Sequence, residues 1–258
     1  MTAAWGDQTG PVTAWMIDAA APAPGQRVLD LAAGPGQVGF EAAKLIEPGG
    51  TLICSDQSEA MVAVARARAG ELGLTNVEFR VLGGEWIDLE LASVDVVLCR
   101  WGYMLMVDPA AALRETRRVL RSGGRVALAV WDERARNPWS TIPTEVLIDH
   151  GLAVPPVPGM PGPFALGDEG LLRSMLEEAG FTEIVIDAVE ISRSAPDFDT
   201  WWATHLELSA GTLASFQGAD EAQTAAIEAQ IAARLAPYTS ASGEIAVPGR
   251  TLVAVATA

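Results

Sequence analysis

Residues 27–56, RVLDLAAGPGQVGFEAAKLIEPGGTLICSD, leave the chain few ways to fold. Val28, Leu29 and Leu31 make a short apolar strand around Asp30. Gly34, Gly36 and Gly39 follow at G-x-G-x-x-G spacing, a helix pattern runs from about Gln37 to Ile46, and Pro48-Gly49-Gly50 stops it. Thr51 to Ser55 reads as a second strand with Asp56 at its tip. Glycines let the backbone turn sharply and come close to a ligand. A helix start offers unpaired N–H groups, and a carboxylate on the next strand tip can accept hydrogen bonds from a ribose diol. The glycine spacing alone is a weak signal. The strand before it, the helix after it and an acid twenty residues past Gly36 together point to a nucleotide-like ligand. The plain alternative, a tight turn with no ligand, would leave the conformational cost of the glycines without a return.

The same alternation continues downstream. Ser58 is a good N-cap for a helix to about Leu72, and Asn76 to Leu82 alternates as a third strand. Val94 to Cys99 is nearly all apolar and therefore central. Asp108-Pro109 opens a helix to Leu120, and Arg125 to Trp131 is a fifth strand. Strand–helix units in succession predict an open parallel sheet covered on both faces, and ligands in such sheets collect beyond the strand C-termini. The tips at Gly34, Asp56, Glu85 and Trp101 should then converge on one cleft.

Beyond the fifth strand, 132–167 is proline-rich and expected to be irregular along the cleft rim, with a helical piece near 141–150. A helix from Asp168 to Ala179 and a strand from Phe181 to Ile191 follow. Residues 197–236 carry two helical stretches broken near Gly218, 236–249 reads as a plain loop, and Arg250 to Ala256 is the last strand. Strands six and seven thus read as hairpin partners, with 197–236 inserted between them as a small helical cap. Residues 1–26, with Trp5, Val12, Trp15, Met16 and Ile17, read as a helical segment packed over the sheet edge or as a lid. The cofactor-binding core is expected to comprise 27–196 and 237–258.

Composition narrows the function classes. Asp and Glu total 33 against 17 Lys and Arg, a formal net charge of -16, which repels phosphate backbones and disfavours nucleic acid as partner. The two cysteines, Cys54 and Cys99, fall in apolar strands and read as small core residues; no metal site is expected. No basic region precedes an apolar run at the N-terminus, and no stretch of about eighteen apolar residues is free of charge or punctuation, so a cytoplasmic location with no membrane span is expected. No lysine follows the glycines, which removes a P-loop, and no second glycine turn supports a dinucleotide. A compact adenosine-containing ligand over one glycine turn remains.

At this point the motifs VLDLAAGPGQVG (28–39), CSDQSEAM (54–61), the long run 92–131 and RNPW (136–139) become informative together. The chain resembles class I S-adenosylmethionine-dependent methyltransferases, most closely the small-molecule branch related to the menaquinone/ubiquinone C-methyltransferases. The resemblance implies a Rossmann-like α/β fold with a seven-stranded, mostly parallel sheet in the order 3-2-1-4-5-7-6, the last strand antiparallel. It implies S-adenosylmethionine as cofactor and S-adenosylhomocysteine as product. Gly34 and Gly36 would carry the loop under the methionine part, with Ala32 also on the cofactor, and Asp30 would order that loop, directly or through water, near the amino end. Asp56 would hold the ribose hydroxyls, with Gln57 and Met61 beside the adenine, Gly84, Glu85 and Trp86 in the loop next to it, and Arg100 near the transferable methyl. Where the family has G-D-A-E, this chain has Leu82-Gly83-Gly84-Glu85, so the aspartate that grips the adenine amino group is missing at Gly83. Either Glu85 or a backbone carbonyl takes over that contact, or cofactor affinity is lower.

Methyl transfer from a sulfonium is an in-line displacement that needs the acceptor about 3–3.5 Å from the methyl. A base is required only when the acceptor must lose a proton. The catalytic candidates are His205, on one helix face with Trp201, and Tyr103; His150 is a weaker one, and a packing role is the plain reading for each histidine. Trp101, Met104, Trp139, Trp201 and Trp202 are candidate walls for a small, partly hydrophobic acceptor such as a phenol, a quinone or a natural-product-like molecule. Two other classes stay open: a non-methylating enzyme that keeps the bound cofactor, and a nicotinamide-dependent oxidoreductase. A monomer or homodimer is expected.

Overall fold

A computed structural model describes residues 8–216 and 219–258; Trp5 and Gly218 lie outside the described residues. Among the described residues, seven strands form one sheet in the order β3-β2-β1-β4-β5-β7-β6. The strands are β1 (Arg27–Leu31), β2 (Thr51–Asp56), β3 (Val77–Val81), β4 (Val94–Arg100), β5 (Leu120–Trp131), β6 (Thr182–Ala195) and β7 (Ile245–Thr257). β1 pairs in parallel with β2 and β4, β2 with β3 and β4 with β5, while β7 runs antiparallel to β5. The central strands are the near-continuous apolar ones, and Val28, Leu29, Leu52, Ile53, Val97 and Leu98 are all fully buried. A parallel strand covered on both faces requires this composition.

The chain forms two compact units. The larger comprises Pro11–Asp132, Gly159–Val189 and Thr251–Ala258. It carries helices α1 (Gly10–Ala20, from Pro11 on), α2 (Gln37–Leu45), α3 (Glu59–Glu71), α4 (Pro109–Val119) and α6 (Glu169–Glu178). Local chemistry sets their starts: Ser58 accepts the Met61 N–H, Asp108 the Ala111 N–H with Pro109 in the first turn, and Asp168 the Leu171 N–H. Among the described residues, the smaller unit comprises 8–10, Glu133–Pro158, 190–216 and 219–250. It contains α5 (Pro138–Asp149), α7 (Phe198–Leu208), α8 (Ala210–Ser215) and α9 (Glu221–Leu235). Its core includes Ile227, Ile231, Leu235, Val146 and Leu147.

Three stretches differ from the sequence reading. The helical piece expected near 141–150 starts earlier, spanning Pro138–Asp149, and it groups with the 198–235 helices. β6 and β7 are longer than expected: β7 starts at Ile245 within the supposed loop and continues through Pro248 and Gly249. The apolar alternation at Ile245 and Val247, both buried, is what that loop assignment overlooked. The helices of the 198–235 region number three rather than two among the described residues.

Candidate functional site

The glycine turn is built around two carboxylates. Asp30, on β1, is buried, and its Oδ2 accepts the Gly39 N–H at 2.8 Å. A Cβ on Gly39 would stand 2.6 Å from that oxygen, so the third glycine of the motif is needed to let α2 approach Asp30. Gly36 caps α2 at φ +82, and a Cβ there would run into the Phe40 ring. Asp56, at the tip of β2, accepts the Gly34 N–H through Oδ2 at 3.0 Å and the Ser58 N–H through Oδ1 at 2.9 Å. Its carboxylate is therefore fixed between the turn and the cap of α3.

Burial pushes the Asp30 carboxyl up to about 7; the Gly39 N–H and the Arg100 charge pull against that shift, and Asp56 adds to it. Arg100 is itself lowered to about 10 by burial, with Asp30 opposing the shift. Its guanidinium donates to Thr13 on α1 at 2.8 Å and to Gln37 at the start of α2. Arg100 thus ties α1 to the glycine turn.

Beyond the tips of β1, β2, β3 and β4 lies a cavity of about 270 Å³. Its polar side chains are Asp56, Gln57 and Glu85. Leu31, Ala32 and Leu82 from the strand ends, and Trp101, Leu105 and Met106 from the segment after β4, supply apolar wall. Gly84 stands against the Met106 thioether, which a Cβ at this position would displace. Glu85 reaches across this space, and its Oε1 accepts the Val107 N–H at 2.9 Å. The donor set suits an adenosine-type ligand: carboxylate acceptors for a diol and an amine, apolar walls for a base, and no lysine or arginine in the lining for phosphates.

Trp101 forms the β4 side of this cavity in an uncommon conformation. Its φ is +60, a strained value for a bulky residue. Three contacts hold it there. Its N–H donates to the Ala129 carbonyl at 2.7 Å, its ring stacks on Trp131 at 4.4 Å, and its Nε1 donates to Thr251 Oγ1 at 2.9 Å. The Arg100 guanidinium also lies 4.8 Å from the ring centre.

Of the cofactor residues expected from the sequence, Ala32, Asp56, Gln57, Gly84 and Glu85 line the cavity, and Trp101 joins them. Asp30, Gly34 and Gly36 shape the turn and are not part of the cavity lining. Met61 and Arg100 are outside the lining as well, and Trp86 is 76% exposed to solvent, outside the cavity. Leu31, Leu82 and Val107 line the site without having been singled out. For Leu31 and Leu82 the signal was only positional, at or just past a strand end; Val107 lies beyond the turn Tyr103–Leu105, just before the helix at Pro109.

The two catalytic candidates do not hold accessible bases. Tyr103 is fully buried with its hydroxyl on Thr116 at 2.6 Å, and burial raises its pKa well above the usual phenol value. Met104 beside it is buried, with its carbonyl accepting the Gly162 N–H. His205 belongs to the smaller unit, where it is 2% exposed and stacked with Trp201 at 5.2 Å and Trp202 at 5.4 Å. Burial, aided by the Arg193 charge, lowers its pKa to about 3, so it is neutral and a poor proton acceptor near pH 7. Trp139 meets the same imidazole edge-on at 6.3 Å, and the Arg193 guanidinium lies 3.4 Å from the Trp139 ring centre. The i to i+4 spacing did bring Trp201 and His205 together, but in the packed interior of their unit. His150 ends α5 and pairs with Gln230 at 2.8 Å.

Among the described residues, no group of three or more histidine, cysteine or acidic side chains could hold a metal ion, and no helix is long and apolar enough to cross a membrane.

Residues 22–150 match the family described as "Methyltransferase domain". The chain is 32% identical over 184 residues to a nocamycin O-methyltransferase from Saccharothrix syringae, covering 67% of this chain and 65% of that protein. It is 31% identical over 127 residues to the ubiquinone/menaquinone biosynthesis C-methyltransferase UbiE of Pasteurella multocida, covering 49% of this chain and 47% of that protein. The matches therefore span less than two thirds of the length of these relatives. Among solved structures, the YcgJ protein of Bacillus subtilis shares the fold with a TM-score of 0.60 at 18% identity, over 95% of this chain and 97% of that one. The matched segment contains the glycine turn, Asp56, Glu85 and Trp101, and on that ground, with the sheet order above, the chain belongs to the methyltransferase-domain family in its Rossmann-like, class I architecture.

Proposed function

We propose that this protein transfers a methyl group from S-adenosylmethionine to a small, partly hydrophobic acceptor by in-line displacement, leaving S-adenosylhomocysteine. The observation that carries this reading is the Asp56 carboxylate, fixed by the Gly34 and Ser58 N–H groups at the edge of a cavity with apolar walls. S-adenosylmethionine, when bound, supplies an electrophilic methyl on a sulfonium. The chain's own residues bind and orient. Asp56 accepts the ribose hydroxyls, Gln57 and Gly84 flank the base, and Asp30 with Gly39 and Arg100 keeps the turn in shape near the amino end. Trp101, immobilised by Trp131 and Thr251, forms a rigid wall on the acceptor side.

With His205 neutral and packed and Tyr103 buried, neither candidate base serves, and catalysis rests on positioning an acceptor that ionises readily by itself. An acidic phenol or enol meets that requirement. Relatives named for O-methylation and for C-methylation support both atoms as acceptors within this class.

The test is calorimetric titration with S-adenosylmethionine, S-adenosylhomocysteine and NAD, followed by transfer of label from methyl-labelled cofactor to a panel of phenols and quinones. Binding of the two sulfur compounds, silence with NAD and labelled product are expected. Binding of NAD alone would move the protein to the oxidoreductases. Turnover of an acceptor without label transfer would make it a non-methylating enzyme on this fold.

A further inference from the structure

The glycine turn is also held from α3, 33 residues further along the chain. The Arg68 guanidinium donates to the Pro35 carbonyl at 2.7 Å, and its carbon lies 6.0 Å from the centre of the Phe40 ring. Pro35 is the residue between two glycines in the left-handed region, Gly34 at φ +52 and Gly36 at φ +82. Phe40 is buried, and its ring is the group that a Cβ on Gly36 would strike. One half-buried arginine therefore reaches both the middle of the turn and the ring packed against it.

The neighbouring backbone groups are held in other ways. The Ala33 N–H donates to the Ser55 carbonyl, the Gly34 N–H to Asp56 Oδ2, and the Gly36 N–H to the Ala33 carbonyl. Proline has no N–H, so its carbonyl is the group through which the backbone at position 35 can be held by hydrogen bonding. A glycine on each side lets this stretch rotate at low cost, and a turn left loose would have to be ordered each time a ligand binds.

In an open α/β sheet, a nucleoside sets its diol on the acid at the β2 tip and its 5′ substituent over the glycine turn. Resting on the cofactor reading above, we infer that Arg68 is a positioning residue for S-adenosylmethionine: by fixing the Pro35 carbonyl it preorganises the glycine turn for the amino-acid arm at the 5′ end. Arg68 is not in the cavity lining and acts through Pro35. The Asp56 carboxylate has its own anchors in the Gly34 and Ser58 N–H groups, so the diol keeps its acceptor without Arg68. The arginine thus governs one half of the ligand and leaves the other half alone.

The experiment is calorimetric titration of the full chain with S-adenosylhomocysteine and with 5′-methylthioadenosine, which keeps the base, the diol and the sulfur but lacks the amino-acid arm. Arg68→Met keeps an apolar stem near Phe40 and removes the donor; it should weaken S-adenosylhomocysteine about fivefold or more and leave 5′-methylthioadenosine within about twofold. Arg68→Gln, too short to reach Pro35 and well suited to a helix, should show the same selective loss, and it carries the test if the methionine variant does not fold. Arg68→Lys, which keeps a charged donor, should recover part of the lost affinity. Equal weakening toward both ligands, which a purely structural role would give, overturns this inference, as does unchanged affinity for S-adenosylhomocysteine; either leaves the cofactor reading standing. A wild type that binds S-adenosylhomocysteine no more tightly than 5′-methylthioadenosine also overturns it, since the arm then gains nothing from the turn. Failure of the wild type to bind S-adenosylhomocysteine overturns both readings.

Discussion

The cavity beyond the strand tips and the aromatic cluster of the smaller unit are made of the same kinds of residue with opposite outcomes. Each sets tryptophan beside titratable groups with an arginine against an indole ring, Arg100 on Trp101 from outside the cavity lining and Arg193 on Trp139. Around the cavity, Asp56 and Glu85 are anchored by backbone N–H groups yet face open space. In the smaller unit, His205 is enclosed by Trp201, Trp202 and Trp139, and its Nδ1 has no hydrogen-bond partner among the described residues. Strand C-termini of a parallel sheet end in loops that need not pack against one another, so polar groups there remain available. Amphipathic helices gathered around one core close over whatever lies on their inner faces. A histidine beside tryptophans is therefore a site in the first setting and packing in the second.

Five substitutions test this contrast, taken from the largest expected effect to the smallest. Trp201→Ala should cost about 3–5 kcal/mol of stability, because it removes a fully buried indole and its hydrogen bond to the Arg193 carbonyl. Chemical denaturation checks this, and a loss below about 1 kcal/mol would mean the ring is not core. Asp56→Ala should weaken S-adenosylhomocysteine binding about tenfold or more while the chain stays folded, through loss of the diol acceptor and of the anchor on Gly34. Unchanged calorimetric affinity would remove Asp56 from the site.

The two perturbed groups make opposite pH predictions. Asp30 has its pKa raised from 3.8 to about 7, so the folded state holds the proton more tightly than the unfolded chain. Its contribution to stability is present below about pH 4 and is lost as pH rises to 7. His205 has its pKa lowered from 6.5 to about 3, so its contribution is present above 6.5 and is lost as pH falls toward 3. Asp30→Asn should flatten the decline between about pH 4 and 7, and His205→Phe should flatten the acid-side decline, each measured as unfolding free energy against pH. His205→Phe should also leave the pH–rate profile unchanged; loss of an acid-side limb near neutrality would reinstate it as a base. Thr251→Val should cost about 1 kcal/mol by removing the Trp101 Nε1 partner, and should shift KM for the acceptor more than cofactor affinity. An equal shift in both would place Trp101 on the cofactor rather than on the acceptor.

Much of the architecture could be read along the chain because its signals are local. Apolar runs of four to seven residues, helix caps at Ser58, Asp108 and Asp168, and glycine stops between them mark parallel strands and crossover helices without knowledge of partners. The start of β7 at Ile245 escaped that reading because tertiary packing outweighs local propensity there.

The site divides in the same way. Asp30, Gly34, Gly36, Gly39 and Asp56 were fixed by sequence spacing, since a strand, a turn and a helix start place them within one local unit whose sterics demand glycine at set positions. Glu85 followed from the rule that ligands gather beyond strand C-termini, and Gln57 from the family resemblance. Only the tertiary structure decided that Trp86 turns to solvent, that Tyr103 points to Thr116, and that His205 is neutral. It also decided that one oxygen of Glu85 is held by Val107 while the other stands beside the gap at Gly83. Periodicity tells which side chains share a face. What that face meets, and hence whether its charges stay available, depends on segments distant in the sequence, and that is settled by packing alone.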